Sequence, residues 1–199
     1  MKATIESRFN QNIERVRNLA DLYKDYLMGD GPGRRGHLKT DVLRAAVVML
    51  HAAMEDLLRS IAYWKLPSAP AQVLQNIPLV SSATATKFTL GALSAHRGKT
   101  VDEVIESSVN RHLERSNYNN SAEVAAFLSS VQINVDQIRP HFAKIQLVMD
   151  RRHQIVHRAD QDNEAAGRGN HRVTSIGHGT VVNWIAAVED FGKAVLDEV

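Results

Sequence analysis

Apolar residues along this chain recur at helical spacing. Ile5, Phe9, Ile13, Val16, Leu19, Ala20, Tyr23 and Leu27 follow one another at steps of about three or four, which predicts a long amphipathic helix over residues 5 to 28. The run Gly29-Asp30-Gly31-Pro32-Gly33 ends it. A second helix carries Leu43, Ala46, Val47, Leu50, Ala53, Met54, Leu57, Leu58 and Ile61 up to Pro67, with Thr40 or Asp41 as its cap. It is the most apolar and is placed at the centre. On its other side His51, Glu55 and Arg59 stand four residues apart, the pattern of a solvated charge ladder.

Residues 66 to 99 lack a period and contain Pro67, Pro70 and Pro78, so short helices and turns are expected there. Thr100 and Glu103 form a capping-box signature that opens a helix to about Leu113, and Ser121 with Glu123 opens another to about Val131. Pro140 suits the first turn of a helix running to about Asp160. A glycine-rich basic loop, 167 to 172, follows. The chain closes with a helix from about Thr180 that carries Val181, Trp184, Ile185, Val188, Phe191 and Val195. No stretch reads as strand, so the class is all-α: one helical-bundle domain over residues 1 to 199 with a short irregular middle region.

Composition narrows the picture a little. With 44% hydrophobic and 23% charged residues the chain has the makings of a folded core, and a net charge of +2 leaves any contact with nucleic acid to local patches. There is no cysteine, hence no disulfide, thiolate nucleophile or cysteine-bound zinc. No apolar run approaches the roughly 20 residues of a membrane span, and a soluble cytoplasmic protein is expected.

The candidate chemistry lies in Asp150-Arg151-Arg152-His153-Gln154-Ile155-Val156-His157-Arg158-Ala159-Asp160. At 100° per residue, Gln146, Asp150, His153, His157 and Asp160 share a stripe. Ile145, Val148, Met149, Ile155, Val156 and Ala159 form the apolar side, toward which Arg152 also points. His153 and His157 have the spacing of a metal-binding pair, but the zinc-protease pattern requires glutamate where Gln154 stands. A guanidinium is a rigid fork suited to phosphate, and an imidazole moves protons near neutrality. Arg152 and His157 therefore suffice to cleave RNA with no metal or cofactor, the ribose 2′-hydroxyl supplying the nucleophile. A structural reading competes with this one, in which Arg152 and His157 join an ion-pair network with Asp150, Asp160 or Glu55.

Arg152, a polar His153 and, after four intervening residues, His157 make this segment resemble the HEPN (higher eukaryotes and prokaryotes nucleotide-binding) superfamily. The motif helix as a whole, together with Gly31-Pro32-Gly33-Arg34-Arg35 and the run from Ala45 to Glu55, is similar to the RiboL-PSP-HEPN branch. The resemblance implies a helical bundle, often a homodimer, whose motif residues meet near the two-fold axis in a metal-independent ribonuclease site. It also implies a role as toxin or in phage defence, with an antitoxin or other defence-system partner. Some such antitoxins modify a tyrosine two positions after the motif histidine, where this chain has Ala159. In this reading Arg152 holds phosphate and His157 is general acid or base. Asp150, His153 and Glu55 support them, and Arg151, Arg158, Arg168 and Arg172 track the RNA backbone. The alternative is a noncatalytic module of the same fold that binds RNA, a nucleotide or a protein partner.

Overall fold

The computed structural model describes residues 1–29, 37–80, 90–161 and 174–199. Helices follow one another as α1 (Lys2–Leu22), α2 (His37–Lys65), α3 (Ala71–Leu74), α4 (Leu90–Leu93), α5 (Val101–Leu113), α6 (Ser121–Ser130), α7 (Val135–Ile138), α8 (Phe142–Arg158) and α9 (His178–Asp197). Among the described residues there is no strand. The all-α expectation holds, and residues 66 to 80 and 90 to 99 are indeed short helices and turns.

The apolar spacing accounts for the architecture. Helix α2 buries Leu43, Ala46, Val47, Leu50, Met54, Leu57, Leu58 and Ile61 and packs against α1, α5, α8 and α9. Helix α1 contributes Ile5, Phe9, Ile13, Val16 and Ala20 to this core, and α9 contributes Val181, Ile185, Val188, Phe191 and Val195. The close approach of α9 depends on Gly192, where a Cβ would run into the Phe9 ring and stand 3.2 Å from Leu57 Cδ2. Among the described residues no helix is long and apolar enough to cross a membrane.

Local signals explain several helix ends. Thr100 Oγ1 accepts from the Glu103 amide at 3.2 Å while Glu103 Oε2 accepts from the Thr100 amide at 2.6 Å, the reciprocal pair that opens α5. Helix α6 is capped one residue earlier than expected, by Asn120, whose side chain accepts from the Glu123 amide at 2.9 Å. One expectation fails. Helix α2 already begins at His37, so Thr40 and Asp41 lie within it. Thr40 is buried and its hydroxyl instead accepts from Arg44 Nη1 at 2.6 Å. Helix α1 passes into a π-helical turn, Tyr23–Leu27, before Gly29 with its positive φ of 68°.

Candidate functional site

Helix α8 enters through a 3-10 turn, Arg139–His141, that contains Pro140, and it buries Ile145, Val148, Met149 and Arg151. It stops at Arg158, earlier than the spacing suggested, because Ala159 (φ 48°) and Asp160 (φ 60°) adopt left-handed backbone. The Asp160 amide then bonds back to the Gln154 carbonyl at 3.1 Å, a closure typical of helix C-termini. As a result Asp160 leaves the stripe it was expected to share with His157 and turns inward, where it is 2% exposed.

There it holds two arginines. Arg151 Nη1 stands 2.7 Å from Asp160 Oδ1 and Arg151 Nη2 donates to Oδ2 at 2.8 Å, while Arg44 Nε donates to the same Oδ2 at 2.5 Å. Both guanidiniums also donate to the Thr174 carbonyl at 3.1 Å, and Arg44 pairs with Asp41 at 3.2 Å, so among the described residues two cations meet two carboxylates. Gln154 closes the group: its Oε1 accepts from Arg151 Nη1 at 2.8 Å and its Nε2 donates to Thr174 Oγ1 at 2.7 Å. Burial lowers the Arg151 pKa from its ordinary value, Asp160 opposes this and Arg44 adds to the lowering. This clasp fastens the end of α8 to α2 and to the segment before α9. It also corrects one expectation: Arg151, read as a residue that tracks the RNA backbone, is 8% exposed and has both Nη atoms engaged inside the protein.

The next residue faces a different environment. Arg152 is half-buried, and among the described residues nothing hydrogen-bonds or ion-pairs with its guanidinium. His153 and His157 are exposed one turn apart on the outer face of α8, with ring centroids 4.7 Å apart and planes inclined by 44°. Asp150 accepts from Gln146 Nε2 at 2.8 Å, and Gln146 Oε1 accepts from the Ser121 amide at 2.8 Å, which ties this face of α8 to the start of α6. Val156, expected on the apolar side, is exposed, as is Arg158. Arg168 and Arg172, and the upstream run from Gly31 to Arg35, lie outside the described residues. Among the described residues no three metal-ligating side chains gather around the histidine pair.

Behind Arg152 lies a group that the spacing did not reveal. His51, read as part of a solvated ladder, is 2% exposed, and Glu55 is only partly exposed, because the α8 helix and the loop before α6 cover this side of α2. Glu55 Oε1 accepts from the Tyr118 amide at 3.4 Å, its Oε2 stands 3.8 Å from His51 Nδ1, and Arg59 Nη2 donates to the Ser116 carbonyl at 3.0 Å. Burial lowers the His51 pKa, Glu55 opposes it, the charge of Arg152 lowers it further, and the Tyr118 backbone pulls it up. Burial likewise raises the Tyr118 phenol to about 12. No ion pair joins Glu55 to Arg152, so the network of the structural reading forms around Arg151 and leaves Arg152 out of it.

An all-α bundle with an Arg-x4-His motif at the end of a packed helix is the architecture of a HEPN domain. The chain belongs to the RiboL-PSP-HEPN family, whose model matches residues 10–199. Membership of this branch implies ribonuclease chemistry, with RNA as the substrate class. No curated protein and no solved structure matches the chain.

Proposed function

We propose that this protein is an endoribonuclease that cleaves RNA without a metal ion, acting as a toxin or phage-defence component. Arg152 binds the scissile phosphate and His157 acts as general acid or base. The observation that carries the reading is the contrast between neighbouring arginines. Arg151 has its charge spent on Asp160, whereas Arg152 stands half-buried with no described partner on the helix that carries two exposed imidazoles. A cation left unneutralised at a partly desolvated surface attracts a phosphodiester more strongly than a solvated one. As the 2′-oxygen attacks phosphorus, negative charge builds on the phosphoryl oxygens, and a fixed guanidinium stabilises it.

Arg152 and His157 lie about 140° apart around a straight helix. Pairing of two α8 helices across a two-fold axis brings the arginine of one copy toward the histidine of the other, so the active species is a homodimer. Asp150, anchored through Gln146, and Glu55, set behind Arg152, support these groups. Arg158, exposed at the end of α8, contacts the RNA backbone, as do Arg168 and Arg172.

Incubation of the purified protein with mixed RNA in EDTA tests the proposal. Fragments ending in 2′,3′-cyclic phosphate and beginning with 5′-hydroxyl are expected, and a 2′-deoxy substrate stays intact. Binding of RNA without any cut would replace the nuclease by a noncatalytic binding module.

A further inference from the structure

The reaction proposed above needs two proton transfers. One histidine removes the proton of the 2′-hydroxyl, and a second group must protonate the departing 5′-oxygen, a poor leaving group as an alkoxide. His153 is placed to be that group. It projects from the same exposed face as His157, with ring centroids 4.7 Å apart, so the two imidazoles stand side by side. Around the helix it lies only about 40° from His157, on the same outward stripe. Its neighbours leave it free for this task. Asp150, a carboxylate on its face one turn earlier, is engaged by Gln146, and Asp160 is withdrawn into the clasp.

We propose that His153 and His157 of one chain form an acid–base couple, with His157 as base and His153 as acid. This rests on the nuclease reading. The O2′–phosphorus bond forms as the 2′-proton passes to His157, and the phosphorus–O5′ bond breaks as His153 gives its proton to O5′. The products are a 2′,3′-cyclic phosphate and a 5′-hydroxyl. Exchange with water then returns the proton from His157 and restores the one on His153, so nothing else is consumed. The electron pair of the broken bond leaves with O5′, and no oxidant or reductant takes part.

The test compares an oligoribonucleotide having one scissile linkage with the same molecule carrying sulfur in place of the bridging 5′-oxygen. A thiolate departs without protonation because a thiol is far more acidic than an alcohol. His153→Asn is expected to lower kcat/KM on the oxygen substrate by about 10²-fold or more while cutting the sulfur substrate at close to the wild-type rate. His157→Ala loses both. His153→Gln serves as the second variant, and thermal unfolding verifies that each is folded. Equal loss on the two substrates would overturn the acid role and make His153 a positioning residue. No loss on either would remove it from the reaction while leaving the nuclease reading standing. Failure of the wild type to cut either substrate would overturn the nuclease reading itself.

Discussion

Arg151 and Asp160 meet inside the protein with Nη1 2.7 Å from Oδ1, at 8% and 2% side-chain exposure, whereas Arg152, one residue along the same helix, has no described partner. A helix turns by about 100° per residue, so adjacent arginines of identical chemistry point to different surroundings. The left-handed turn at Ala159 and Asp160 decides which of the two receives the carboxylate.

That difference separates stability from activity. Arg151→Ala leaves Asp160 charged and only partly compensated in the interior, and is expected to cost about 3–5 kcal/mol in urea denaturation. Arg152→Ala removes no described hydrogen bond or ion pair and is expected to cost no more than about 1 kcal/mol. Equal losses for the two variants would show that the clasp does not fasten α8.

Ala159 is exposed with φ 48°, a conformation an L side chain adopts at a cost of about 1 kcal/mol. Ala159→Gly is expected to raise the urea midpoint, since glycine fits the left-handed cap without penalty. A fall in the midpoint would mean that the turn is not strained.

Buried His51 sets a pH dependence. Its pKa is lowered in the folded protein, chiefly by burial, so below the ordinary value of about 6.5 the unfolded chain binds the proton more readily. The contribution of this group is fully present above that value and is lost as pH falls from it toward the lower folded pKa. Half-buried His112, shifted the same way by burial, adds to the trend. Denaturation followed between pH 7 and 5 is expected to show falling stability, with a shallower slope in His51→Gln than in the wild type. Parallel slopes in the two proteins would contradict the burial of a neutral imidazole.

The fold was legible in the sequence wherever apolar spacing was regular. Phe9, Leu50, Met54, Val148, Val188 and Phe191 all occupy the core that their periodicity predicted. The motif was legible as text, but the roles within it were divided by contacts that spacing does not carry. Arg44 and Thr174, the clasp partners of Arg151 and Asp160, lie far away in the chain, and no local pattern joins them. A helix continued by periodicity to Asp160 puts that carboxylate on the outer stripe, and only the backbone reversal at Ala159 takes it inside. The ladder His51, Glu55, Arg59 misled for a similar reason. Four-residue spacing gives the face of α2 on which these groups lie but not what covers it, and here the loop before α6 and the α8 helix do.

The chemistry is assigned to Arg152 and His157, and the measurement that decides this assignment is the rate at which end-labelled RNA is cut in EDTA by wild type, His157→Ala and Arg152→Ala, each verified as folded. Wild-type cleavage is expected, with a loss of about 10²-fold or more in both variants. Cleavage by either variant at the wild-type rate would contradict it.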